Sequence, residues 1–181
     1  VTPLIELYNF YSPKLPIGGG TSLGSALNFL MNEFDSTLQR TTPDIKGDWK
    51  PIVFLFTDGN PTDEYDSAFD KWNNKYKSDS NLVVISLGDN TDTSIFCKIS
   101  EQVLLLKNTD SESFKKFFKW VTDSIKTSSV SVSETKDDGL HLAPITNGNL
   151  SKIDLDKGFS KKIDENFAVI LAKCQNTKRP Y

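Results

Sequence analysis

Two short stretches hold the side chains best suited to a hard cation. In Thr57-Asp58-Gly59-Asn60-Pro61 a carboxylate follows the unbroken apolar run Ile52-Val53-Phe54-Leu55-Phe56. In Gly18-Gly19-Gly20-Thr21-Ser22 hydroxyls and backbone amides gather where a helical pattern begins. Magnesium and manganese take oxygen ligands in an octahedron and keep several waters, so one carboxylate and one or two hydroxyls suit them. Asp58 and Thr21 are therefore the candidate metal ligands. Each has an ordinary use as well: aspartate begins turns and threonine caps helices. Taken singly, the ordinary use accounts for both.

Other chemistry finds less support. His141 has no second histidine or cysteine pair beside it, and Cys97 sits among Ile95, Phe96 and Ile99, as a small buried residue would. A phosphatase of the haloacid-dehalogenase type needs a nucleophilic carboxylate two positions before Asp58, and Phe56 stands there. A phosphate-cradling loop needs Gly-Lys-Ser/Thr, and no lysine lies between Gly18 and Arg40. No catalytic residue is assigned, and the expectation is a protein that is not an enzyme.

The elements that must position these residues follow from periodicity. Leu23, Ala26, Leu27, Leu30, Met31, Phe34 and Leu38 recur at helical steps, giving a helix whose apolar stripe lies on a core. The runs 52–56, 82–87 and 103–106 are short, continuous and apolar, as strands covered on both faces are. Between the first two, Thr62 is a candidate cap for a helix with Tyr65, Phe69, Trp72 and Tyr76 on its buried side. A short helix around Cys97 follows the second strand. After the third, Asp110 or Ser111 starts a helix whose apolar side is Phe114, Phe117, Phe118, Val121 and Ile125.

Alternating strands and helices predict an α/β fold with a doubly wound, mostly parallel sheet of Rossmann-like type. In such sheets ligands bind beyond the carboxyl ends of the strands, which is where Asp58 falls. Residues 127–138 are Ser, Thr, Lys and acids and read as a linker or an exposed strand, so the first domain is expected to cover 1–128 and the linker 129–139. Residues 140–181 would start a small β-rich C-terminal extension, with a strand candidate at Phe167-Ala168-Val169-Ile170-Leu171.

The two candidate loops, read together as Gly19-Gly20-Thr21-Ser22-Leu23-Gly24-Ser25-Ala26-Leu27 and Val53 through Thr57-Asp58-Gly59-Asn60-Pro61-Thr62-Asp63, resemble the second and third motifs of the metal-ion-dependent adhesion site of the von Willebrand factor A family. Trp49-Lys50-Pro51, the opening Thr2-Pro3-Leu4-Ile5-Glu6-Leu7, and the stretch from Ser113-Phe114 to Trp120-Val121 look like its bacterial tellurium-resistance, TerY-like subgroup. The similarity runs over most of residues 1–128. It implies that Thr21 and Asp58 bind magnesium or manganese, completed by an acidic residue of a protein partner. It also implies a setting of stress or tellurite-resistance signalling beside a kinase and a metal-dependent phosphatase. The family's first motif, Asp-x-Ser-x-Ser, does not occur in this sequence, and the resemblance implies that a strand-rich segment precedes Val1. On this reading a strand edge would be exposed and the 181 residues alone would not be stable. A structural or interaction domain with a vestigial metal site is the alternative. The tail from Phe167 to Tyr181 resembles the start of the subgroup's cysteine-rich module, but Cys174 alone cannot make a four-sulfur zinc site, so zinc is expected only with further cysteines.

Charge and composition narrow the partners. A net charge of -3 with lysines and acids interleaved offers no basic stripe for a phosphate backbone, so no nucleic acid is expected. The apolar runs are far shorter than the roughly 20 residues that cross a bilayer, so no membrane span is expected. Two cysteines, Cys97 and Cys174, and an opening unlike a signal peptide favour a reducing compartment, the cytoplasm.

Overall fold

A computed structural model describes residues 7–9, 11, 19–88, 91–137, 139–146 and 148–153. Its regular elements are α1 (Leu23–Thr37), β1 (Ile52–Thr57), α2 (Asp66–Lys71), β2 (Asn81–Leu87), β3 (Gln102–Leu106), α3 (Ser111–Thr135) and β4 (Leu150–Lys152). A π-helical turn, Trp72–Tyr76, extends α2, and a 3-10 turn, Phe96–Lys98, carries Cys97.

The strands form one sheet in the order β1-β2-β3-β4. β1 pairs parallel to β2, with Thr57 opposite Ser86, and β2 pairs parallel to β3, with Leu87 opposite Leu106. β4 runs antiparallel to β3. The architecture is thus α/β with an open, mostly parallel sheet, as the alternation of elements predicts. Among the described residues no helix is long and apolar enough to cross a membrane.

Side chains alternate across a strand, and the two faces of the sheet bury separate cores. On one face Val84 and Val103 meet Leu23, Leu27, Met31, Phe69, Trp72, Tyr76 and Phe96. On the other, Val83, Ile85, Leu104 and Leu106 meet Phe117 and Trp120 of α3. Each fully buried Leu or Ile contributes about 1.5–3 kcal/mol of transfer free energy, so these stripes dominate the fold. The aromatic pair Trp72 and Tyr76 also satisfies its polar tips. Trp72 Nε1 donates to Ile99 O at 3.1 Å, and Tyr76 OH donates to Asp35 at 2.6 Å. That hydroxyl, then the Lys75 ammonium, hold the Asp35 carboxyl below its ordinary pKa.

β1 lies at the edge of the described sheet although its text, Ile-Val-Phe-Leu-Phe, is that of a strand covered on both sides. Phe56 remains 37% exposed and Phe118 of α3, against which it packs, 53%.

α3 departs from its sequence-based expectation. It continues through Thr135, so most of the stretch expected as a linker is helix. The reason lies in what its buried stripe holds. Ser113, Phe117, Trp120, Ser124 and Ser128 fall on one face, and the last two meet backbone rather than apolar side chains. Ser124 Oγ accepts the Ala143 N–H, and Ser128 Oγ both donates to His141 O and accepts from His141 N, each at 3.0 Å. Trp120 Nε1 donates to Ala143 O at 2.9 Å. Residues 140–143 are strapped along the helix, and Leu140 and Leu142 join the core of that face. Outward hydroxyls are satisfied locally: Thr127, Ser129 and Thr135 donate to carbonyls four residues back. Lys136, in the left-handed conformation with φ 58°, ends the helix. The chain beyond the strap supplies β4, so Leu150–Lys152 belong to this sheet. The strand candidate 167–171 and Cys174 lie outside the described residues.

The start of α2 differs too. The helix begins at Asp66, and the carboxylate that serves its first turn is Glu64, which accepts from Ser67 N and Ser67 Oγ; Thr62 does not cap it.

Candidate functional site

The candidate residues collect at the carboxyl end of β1. Thr57, the last residue of the strand, is buried, and its hydroxyl closes a tight turn by donating to Gly59 O at 2.8 Å. This turn leaves Asp58 exposed on the loop.

The loop ahead of α1 packs directly on this turn. Thr21 O accepts from Leu23 N at 3.1 Å and from Thr62 N at 2.9 Å, which bonds the two loops backbone to backbone. Glycine permits the approach. A Cβ at Gly24 would lie 2.1 Å from Glu64 O, one at Gly20 would lie 2.2 Å from Thr62 Oγ1, and one at Gly59 would lie 3.3 Å from Thr21 Oγ1. The Thr21 hydroxyl is thus brought beside Gly59, the neighbour of Asp58.

Asp63 ties the loops a second time. The position before α1, Ser22, makes no side-chain capping bond. In its place the Asp63 carboxylate accepts from Gly24 N at 3.1 Å, Ser25 N at 2.9 Å and Ser25 Oγ at 3.1 Å. A carboxylate here also complements the partial positive charge of the helix start. Partial burial pushes the Asp63 pKa up, but the bonds from Ser25 and Gly24 outweigh it and hold the carboxyl below its ordinary value. A third loop joins through Asn60, whose Oδ1 accepts from Asp92 N at 2.8 Å.

Two donors remain uncommitted. Among the described residues neither the Thr21 hydroxyl nor the Asp58 carboxylate makes a side-chain hydrogen bond or ion pair. On the same side of the sheet crest, fully buried Ser86 Oγ has no partner among the described residues, and the same holds for Thr91 Oγ1 in the following loop. Orphaned hydroxyls of this kind are a place for ordered water or an ion. A free carboxylate, a free hydroxyl and neighbouring polar groups fit a magnesium or manganese ion that keeps much of its water shell. Among the described residues no three His, Cys, Asp or Glu side chains converge.

The two ligand candidates of the sequence are therefore brought onto adjoining loops. The tie through Asp63 escapes sequence reasoning, because a cap supplied from 38 residues away leaves no local pattern. The only trace is the pair Gly20 and Gly24, which marks a close backbone approach. His141 bonds Asp137 at 2.9 Å near the end of α3, apart from the β1 crest.

No family model matches the chain, and neither a curated protein nor a solved structure matches it.

Proposed function

We propose that the chain is a metal-ion-dependent protein-binding module of the von Willebrand factor A type, akin to the TerY-like tellurium-resistance subgroup, and not an enzyme. One observation supports this above others: an uncommitted carboxylate, Asp58, and an uncommitted hydroxyl, Thr21, sit on loops locked together at the carboxyl end of a parallel sheet. On this reading Asp58 and Thr21 hold Mg2+ or Mn2+, directly or through water. Such an ion, held by Asp58 and Thr21, would attract the acidic side chain of a protein partner. The chain's own groups do the rest: Thr57 fixes the turn that presents Asp58, and Thr62 N fixes the carbonyl of Thr21. The setting that accompanies this reading is bacterial, cytoplasmic stress signalling beside a kinase and a metal-dependent phosphatase.

A second reading is an interaction domain whose metal site is vestigial, favoured by the apolar edge strand β1 with its half-exposed Phe56 and Phe118. Titration with Mn2+ by calorimetry separates the two. Saturable binding to the chain, lost in Asp58→Ala with the circular dichroism spectrum unchanged, supports the adhesion-site reading. Equal affinity of the two proteins sinks it.

A further inference from the structure

We infer that Asp63 is the positioning residue of this site: from the β1 loop it caps α1 and so holds Thr21 in register with Asp58. The inference rests on the metal-binding reading for its functional part and on geometry for the rest. Three bonds from one carboxylate reach the first turn of α1, at Gly24 N, Ser25 N and Ser25 Oγ. The residue placed to cap α1 from its own segment, Ser22, does not do so. Release of Asp63 therefore leaves the helix start uncapped and removes the side-chain link between the loops. Among the described residues, the hydrogen bond that remains between the two loops is the one from Thr62 N to Thr21 O.

The molecule contains its own control. At the start of α3, Asp110 makes the same set of bonds, accepting from Glu112 N, Ser113 N and Ser113 Oγ, each at 2.9 Å. That cap is local, three residues at most in sequence, and although its Ser113 hydroxyl accepts in turn from Asn149 Nδ2, none of its bonds reaches the candidate ligands. Asp63→Ala and Asp110→Ala thus remove chemically matched caps, of which only one bridges the candidate ligands. A carboxylate aimed at a helix start does nothing for metal affinity unless it positions a ligand, so the pair separates a positioning role from a stabilising one.

The test measures Mn2+ affinity by calorimetry and amide exchange by mass spectrometry on the full chain, its Asp58→Ala form, the two alanine variants and Asp63→Asn. Asp63→Ala is expected to weaken Mn2+ binding at least tenfold and to speed exchange in residues 21–25 and 59–62 together. Asp63→Asn, which keeps an acceptor oxygen, recovers part of both. Asp110→Ala is expected to leave Mn2+ affinity within twofold and to speed exchange only at the start of α3. Equal affinity in Asp63→Ala and the unaltered chain overturns the positioning role. Should the unaltered chain bind no Mn2+, the metal reading fails, and exchange then decides the clamp by itself. Unchanged protection of residues 21–25 and 59–62 in Asp63→Ala overturns it.

Discussion

Replacing Gly24 by alanine sets two effects of opposite sign against each other. Inside a helix, alanine is favoured over glycine by roughly 0.5–1 kcal/mol, because glycine loses more backbone freedom on folding. Position 24 lies in the first turn of α1, so propensity alone predicts a stabilised protein. The neighbouring loop reverses the sign. A Cβ there would lie 2.1 Å from Glu64 O and 3.0 Å from both Glu64 C and Tyr65 Cα, all backbone atoms that cannot rotate away. Relief requires the two loops to part by about 1 Å, since carbon and oxygen in contact sit nearer 3.3 Å. Overpacking of this kind costs about 1–3 kcal/mol, which exceeds the propensity gain over most of that range. The expected net loss is roughly 1–2 kcal/mol, equivalent to a fall of about 2–8 °C in Tm at about 2–4 °C per kcal/mol. Chemical denaturation in urea, with m unchanged and the midpoint lowered, is the assay. A midpoint that stays or rises would refute the packing of α1 on the 58–65 loop and with it the adjacency of Thr21 and Asp58.

Further outcomes follow from the same geometry. Asp58→Ala is expected to abolish Mn2+ binding while leaving the thermal transition in place, because Asp58 is exposed on a loop; calorimetry beside a melting curve checks both. Ser128→Ala removes the partner of both His141 O and His141 N, and an unsatisfied buried backbone group costs about 1–3 kcal/mol, so the urea midpoint should fall by more than at the outward Ser129. On acidification, the folded-state pKa values of Asp63 and Asp110 lie below the ordinary carboxylate value, so their stabilisation is complete above that value. It is lost as pH falls through the lowered values. Amide exchange at the starts of α1 and α3 should therefore accelerate in that acid window relative to mid-helix amides, and the same pH dependence at the helix starts and in mid-helix would contradict it.

Most of the fold can be read from apolar spacing. The stripe Leu23, Leu27, Met31, Phe34 announces α1, and the runs around Val53, Val84 and Leu104 announce parallel strands, because burial on two faces demands continuous apolar text. The end of α3 cannot be read this way. Ser124 and Ser128 occupy core-facing positions, yet what they meet is main chain, so a polar residue is the complementary one and the pattern of hydrophobicity fails. At the candidate site the ligands Thr21 and Asp58 are legible as oxygen donors in turns, but Asp63 is not, since its partners are brought to it only by tertiary packing. Local rules would assign Thr62 to cap α2 and Thr21 to cap α1; the structure gives those tasks to Glu64 and Asp63.

The strap along α3 is gripped by its main chain. Three helix side chains take hold of the amide and carbonyl of His141 and of Ala143, groups that every residue but proline presents alike. This segment can consequently accept many side chains at position 141 without loosening, whereas proline at 141 or 143 deletes an N–H that a buried serine requires. This main-chain grip is blind to the side chain at 141, whereas Leu140 and Leu142 on either side are selected by the core they enter.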